Sequence, residues 1–302
     1  MLIFPTFLGI GAPRCGSSWL HDLLAAHASI AMPKNRKEID FFTENFARGP
    51  AWYASYFDVS GKEAMTSVGE ISPTYLYHPE IIPRIKSFGS ISRFLVILRN
   101  PIDRTYSDYA HWRRLAAYRG DFDSFLKDFP AISQGMYFKH LEPFVDEFGV
   151  ERFLILIFEE AVRDPEGTKV SLARFLGVSP EGFPSEAGRR QVNQARRPRA
   201  RVLGPMHDRV ARFLRSRRLD VVVTLGRKAG LERILYRQGS GLAPMTEETR
   251  GRLAPLFAAD VRKLEALLGR PILPWGDIRA PGMRADTAEQ RVRSRNDECR
   301  NG

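Results

Sequence analysis

Residues 7–24 read FLGIGAPRCGSSWLHDLL, from Phe7 to Leu24. An apolar run spanning Thr6 to Ile10 predicts a buried strand. A helix follows from about Ser17 to Ala26, with Leu20, Leu23 and Leu24 on one face. Between them, the window from Gly11 to Ser18 has the spacing of the phosphate-binding loop Gly-x4-Gly-Lys-Ser/Thr, but Ser17 stands at the lysine position. A glycine-bordered turn ahead of a helix offers backbone N–H groups and the positive end of the helix dipole to an anion. Ser17 and Ser18 add hydroxyl donors and Arg14 adds a cation. The window therefore reads either as a site for a phosphate-type group other than a γ-phosphate, or as a plain glycine turn beside a surface arginine.

The same strand, loop, helix order recurs twice. Arg93 to Leu98 is a buried apolar run that stops at Arg99-Asn100-Pro101. Pro101 and Asp103 then open a helix carrying Arg104, Ser107, Tyr109 and His111. Arg152 to Phe158 is the third run, followed by Glu159-Glu160 and a helix from about Pro165 to Leu176 that ends at Gly177. Repeated strand–helix units predict an α/β fold: a P-loop-like parallel sheet flanked by helices, forming a single domain over residues 1–278. Ligands in such folds bind at the carboxyl ends of the strands. There Arg99 and Ser107 are placed to grip a second phosphate, unless Arg99 merely pairs with Asp103.

The composition bounds the function. The chain has 302 residues, 43% of them hydrophobic, and a formal net charge of +11, which suits an anionic ligand. Its two cysteines, Cys15 and Cys299, make neither a disulfide framework nor a metal cluster, so a reducing, cytoplasmic setting without a metal is expected. The opening MLIFPTFLGIGAP is short and interrupted by Pro5 and glycines. It reads as a buried strand, neither a signal peptide nor a membrane span. Arginines cluster between Arg189 and Arg218 without interleaved aromatics, which argues for a solvated face and against nucleic acid as the partner. From Arg279 to Gly302 the chain is charged and nearly free of apolar residues, the composition of a disordered tail.

A third chemical element is RKEIDFF, Arg36 to Phe42, where Glu38 and Asp40 precede two phenylalanines. A carboxylate lodged against aromatic surface has a raised pKa and can act as a general base. The plainer alternative is a solvated charge cluster on a Phe-Phe anchor. The aromatic-rich stretches Phe41 to Phe57 and Tyr106 to Tyr118 are candidate walls for a substrate pocket, or simply core.

Taken together, GAPRCGSSWLHDLL, KEIDFF, GEISPTYLY and FLVILRNPIDRTYSDY resemble, in order and spacing, the sulfotransferases that use 3′-phosphoadenosine 5′-phosphosulfate (PAPS). The likeness is to bacterial sulfotransferase-domain proteins and the heparan sulfate sulfotransferases. It extends through GPAWYASYF, the Gly135-to-Tyr137 element, RFLILIFEEAVRDP and ADVRKLEALLGRPILPWGD, covering about residues 6–278. The resemblance implies that Pro13, Arg14, Cys15, Gly16, Ser17 and Ser18 hold the donor's 5′-phosphosulfate, and that Arg99 and Ser107 clamp its 3′-phosphate. It implies Glu38 as base, with Arg14 facing the leaving group. It also implies that a segment including Asn193, Arg197 and Arg199 closes over the adenosine. The co-substrate would be PAPS, the product adenosine 3′,5′-bisphosphate (PAP), and the acceptor a hydroxyl of a carbohydrate or small molecule, with no metal.

Two positions depart from the heparan-type pattern. Asp40 stands where a histidine is usual, and Ile71 follows Glu70 where a lysine is usual. A supporting cation near the sulfuryl group must therefore come from elsewhere. Other branches use a histidine base, for which His111 is the candidate. The competing readings are a P-loop kinase or NTPase, which would want a lysine at position 17, and a basic nucleic-acid-binding protein.

Overall fold

The computed structural model describes residues 2–33, 36–57, 67–115, 117–189, 196–198, 236–238 and 242–278. Its main sheet contains β1 (Phe7–Gly11), β2 (Ile30–Ala31), β3 (Ser67–Ile71), β4 (Arg93–Leu98) and β5 (Phe153–Ile157). These lie in the order β2-β3-β1-β4-β5, and every neighbouring pair is parallel. The helices are α1 (Ser17–Ala25), α2 (Gly49–Ala54), α3 (Ile82–Phe88), α4 (Pro101–Arg114), α5 (Phe122–Asp128), α6 (Tyr137–Phe148), α7 (Phe158–Arg163), α8 (Pro165–Leu176) and α9 (Glu247–Leu268).

The three apolar runs expected as strands are β1, β4 and β5. A strand buried on both faces is nearly continuous in apolar residues, which is why these three stand out in sequence. Side chains alternate between two cores. Phe94, Val96 and Leu98 of β4 pack with Leu141, Phe144 and Phe257 from α6 and α9, while Leu95 and Ile97 pack with Leu20, Leu23 and Leu172 from α1 and α8. Each fully buried leucine contributes about 1.5–3 kcal/mol. Leu20, Leu23 and Leu24 therefore anchor α1 by more than the roughly 1 kcal/mol that a missing N-cap side chain withholds.

That margin matters because of where the chain goes next. After β1 the chain runs through α1 to the β2 and β3 side. After β4 it runs through α4 to β5 on the other side. The diverging connections open a crevice at the carboxyl ends of β1 and β4. Both loops singled out in the sequence end there.

Candidate active site

The loop from β1 to α1 turns through two left-handed residues, Arg14 at φ 70° and Gly16 at φ 95°. Gly16 cannot be replaced cheaply, because a Cβ there would lie 2.3 Å from Cδ2 of Phe158. It caps α1 without any side-chain hydrogen bond, so the first-turn N–H groups of Ser17, Ser18 and Trp19 have no acceptor among the described residues. The N-terminus of α4 is closed by contrast: Asn100 Oδ1 accepts from the N–H groups of Ile102 and Asp103 at 3.0 and 3.4 Å. Of the two helix ends at the crevice, only that of α1 is built open to an anion. Gly16→Ala is expected to lower stability by more than about 1 kcal/mol, since alanine is strained at this φ and meets the Phe158 ring. Urea midpoints of the two proteins check it.

Over this open end sits Lys37. Its Nζ donates to Ser17 Oγ, Ser18 Oγ and Glu38 Oε1, each at 3.0 Å, so its three N–H bonds meet three acceptors. The cation absent from position 17 thus arrives from a position 20 residues further along. Sequence reading attended to the two carboxylates of RKEIDFF and missed the lysine between them and the loop. A lysine directly before the candidate base, in a chain whose phosphate loop lacks one, was the available signal.

Arg36 to Asp40 forms neither helix nor strand. Side chains hold it: Glu70 Oε2 accepts from Ile39 N–H at 3.3 Å, Ser72 Oγ from Asp40 N–H at 3.1 Å, and Asn45 Nδ2 donates to Ile39 O at 2.9 Å. Asp40 takes a left-handed turn at φ 53°, which aspartate tolerates better than most residues. Behind it, Phe41 stacks on Tyr53 with centroids 4.1 Å apart, and Phe41, Phe42, Trp52, Tyr53 and Phe57 are all buried. These aromatics are core rather than pocket wall.

Burial acts on the carboxylates here. Asp40 is pushed up to about 6, chiefly by burial and then by Glu38 and Glu44. Glu70 is pushed up to about 7 by burial, against the pull of the Tyr53, Tyr75 and Ser72 hydroxyls. Glu38 is half-exposed and ion-paired to Lys37. Both raised groups bind their protons more tightly in the folded chain. Their stabilising contribution is full below about pH 4 and is lost as pH rises through about 6 for Asp40 and about 7 for Glu70. Unfolding free energy is expected to fall by roughly 2–3 kcal/mol between pH 5 and 8 from Glu70 alone. Urea titrations across that range, flattened in Glu70→Gln, check the sign.

Arg14 turns its Nε to Asp108 Oδ1 at 3.4 Å. Burial lowers its pKa, as do Arg114 and Arg104, while Asp108 opposes them. Asp108 is shared with the fully buried Arg104, which also donates to Pro13 O, Ala131 O and Gln134 Oε1 at 3.4, 3.0 and 2.5 Å. Arg104 is thus a strut that ties the loop carbonyl to α4. The thiol of Cys15 faces the core, near Pro13 O at 3.6 Å and the Tyr137 hydroxyl at 3.4 Å, and burial pushes its pKa up. Cys15 N–H is taken by Ala12 O, so this residue shapes the loop from within. Tyr137 donates its hydroxyl hydrogen to Arg99 O at 2.8 Å, so one tyrosine braces both strand ends.

Arg99 does not pair with Asp103, because Asp103 is bonded to Arg250, which also holds Asp277 at 2.6 Å. The half-buried Arg99 guanidinium lies 5.7 Å from the centre of the Phe158 ring and has no carboxylate partner among the described residues. Phe158 thus carries Gly16 and Arg99 together. Ser107 is half-buried on α4, and its hydroxyl has no hydrogen-bond partner among the described residues. The third strand end is structural: Glu159 accepts from Asn100 N–H at 2.9 Å and from Trp275 Nε1 at 3.1 Å, and Glu160 pairs with Arg270 at 2.6 Å. His111 Nδ1 lies 2.8 Å from Arg114, and burial with the charges of Arg14 and Arg114 holds its pKa down at about 3.

The family model for the sulfotransferase domain matches residues 5–198, a span holding both strand-end loops and Glu38. The chain belongs to the sulfotransferase domain family. A solved sulfotransferase from Alicyclobacillus acidocaldarius is similar over 90% of this chain and 99% of its own, at 25% identity and a TM-score of 0.65. The human bifunctional heparan sulfate N-deacetylase/N-sulfotransferase 3 is 30% identical over 203 residues, 61% of this chain but 23% of that protein. Human heparan sulfate glucosamine 3-O-sulfotransferase 6 is 28% identical over 184 residues, 58% of this chain and 53% of that protein. The sulfotransferase domain here thus spans between a quarter and about half of the length of those relatives.

Of the remaining expected residues, Asn193 and Arg199 lie outside the described residues, as do Cys299 and the charged stretch 279–302. Arg197 lies on β6 (Arg196–Pro198), which pairs antiparallel with β7 (Tyr236–Gln238). No helix among the described residues is long and apolar enough to cross a membrane.

Proposed function

We propose that this chain transfers a sulfuryl group from PAPS to a hydroxyl of a carbohydrate or small-molecule acceptor and releases PAP. The observation that carries the reading is the Lys37 ammonium, which touches both phosphate-loop hydroxyls and a half-exposed carboxylate at once. Charge stabilisation at the leaving group and proton removal from the acceptor are thereby brought within one hydrogen-bonded cluster. The residues suit a donor with two separate phosphate-type groups. The open α1 N–H groups, Ser17, Ser18 and Lys37 would receive the 5′-phosphosulfate, with Arg14 beside them. Arg99, unpaired to any described carboxylate, and Ser107 would receive the 3′-phosphate.

When bound, the donor supplies an electrophilic sulfur whose bond to the bridging phosphate oxygen breaks as the acceptor oxygen bonds to it. Glu38 takes the acceptor's proton. The electron pair of the broken bond stays on the phosphate oxygen, where the α1 N–H groups and Lys37 balance the charge. His111 is a poor base, because its Nδ1 faces Arg114 and its pKa is depressed. Lys37 also occupies Ser18 Oγ, the hydroxyl that holds Mg²⁺ in triphosphate loops, which disfavours the kinase reading.

Thermal unfolding with PAP tests the proposal. At a hundredfold excess over Kd, PAP should add about 2.7 kcal/mol of stability, whereas Mg·ATP should add much less. Arg99→Ala is expected to weaken PAP binding roughly 10–150-fold, the loss of one charge-assisted contact. Calorimetric titration reads this, and wild-type affinity in that variant would remove Arg99 from the site.

A further inference from the structure

Glu70 is a carboxylate at the carboxyl end of β3 with no exposed surface and no cation partner among the described residues. Burying such a group is costly unless its oxygens are fully bonded. They are: Oε1 accepts from the Tyr53 and Tyr75 hydroxyls at 2.7 and 2.9 Å, and Oε2 accepts from Ser72 Oγ at 3.1 Å and Ile39 N–H at 3.3 Å. Satisfying two tyrosines does not explain it, since two phenylalanines over an apolar residue would fill the space without a buried charge. What only an acceptor can do is hold the Ile39 amide. Ser72, itself bonded to Glu70, holds the Asp40 amide at 3.1 Å. The next residue upstream is Glu38, on a segment with no helix or strand to place it.

We propose that Glu70 is a positioning residue: its buried carboxylate, with Ser72, grips the backbone directly behind Glu38 and fixes the Lys37–Glu38 pair against the open end of α1. It acts through that backbone and touches no reacting atom. The grip is a property of the fold. Its catalytic consequence rests on the sulfuryl-transfer reading above, so the test has an arm independent of that reading.

Hydrogen exchange of Glu70→Gln is that arm. The Ile39 and Asp40 amides should exchange roughly tenfold faster or more, while amides of β1 and β4 keep their protection. Unchanged exchange at Ile39 and Asp40 overturns the proposal whether or not the chain transfers sulfate. In the kinetic arm, kcat should fall roughly 10–100-fold with PAP affinity held within about twofold. Adding Glu70→Gln to Glu38→Gln should cost almost nothing further, because the second residue acts only through the first. Fully additive losses would mean a general structural defect and reject the positioning role. Should Glu70→Gln not fold, Ser72→Ala removes the Asp40 grip and one of the four donors, and the same readings apply with smaller changes.

Discussion

Glu38→Gln is expected to lower kcat by roughly 10²–10⁴-fold, the range for removing a general base, while PAP affinity changes little. The reasoning is geometric. Glu38 Oε1 and both loop hydroxyls share one lysine nitrogen, each at 3.0 Å, so the carboxylate stands beside the anion site and outside the first-turn N–H groups that form it. Glutamine keeps the shape and can still accept from Lys37, but it cannot take a proton from an acceptor hydroxyl. The two rivals for the role are poorly placed. Asp40 spends Oδ1 on the Thr74 hydroxyl at 3.2 Å and its backbone on the turn at φ 53°. His111 faces Arg114 and is held neutral by burial and two arginines. Steady-state rates with labelled donor sulfate, beside a calorimetric PAP titration, decide the matter. Wild-type turnover in Glu38→Gln would pass the role to Asp40, and Asp40→Asn would then be the inactive variant.

How much of this was legible in the sequence varies with the physics of each part. β1, β4 and β5 announce themselves because strands buried on both faces must be apolar throughout. β3 does not: SVGEI contains a serine, a glycine and the buried Glu70, yet all five residues are inside. Its carboxylate is tolerable only because four donors from Ile39, Tyr53, Ser72 and Tyr75 converge on it, and that convergence exists only after folding. The two strand-end loops were legible through glycine, arginine and proline at fixed offsets. Which helix end stays open was not, because it depends on Asn100 turning its own side chain onto α4. The Arg99–Asp103 pair was the plainer alternative for Arg99, suggested by local spacing. It yielded to Arg250, which lies 147 residues from Asp103. Lys37 was hidden for a related reason: local spacing cannot reveal that a segment without regular structure folds back over α1.

Lys37→Met is expected to lower kcat/KM by roughly 10²–10³-fold, comparable to losing one preorganised donor at a developing oxyanion. Arg14 is expected to compensate only in part, because its guanidinium is already turned to Asp108 and is disfavoured by Arg104 and Arg114 nearby. Methionine fills much of the stem's volume, so Ser17, Ser18 and Glu38 lose a shared cation more than they lose packing. Without that cation the Glu38 carboxylate faces the incoming phosphosulfate unbalanced. Donor KM should therefore rise as kcat falls, in contrast to Glu38→Gln, where kcat alone should fall. Lys37→Arg should recover only part of the loss. A planar fork cannot reproduce three bonds that radiate from one nitrogen to Ser17, Ser18 and Glu38. Rates measured over a range of donor concentrations separate the two patterns. If Lys37→Met keeps the wild-type kcat and donor KM, the loop works with Arg14 and backbone N–H groups alone, and the Lys37 ammonium only tethers its own segment.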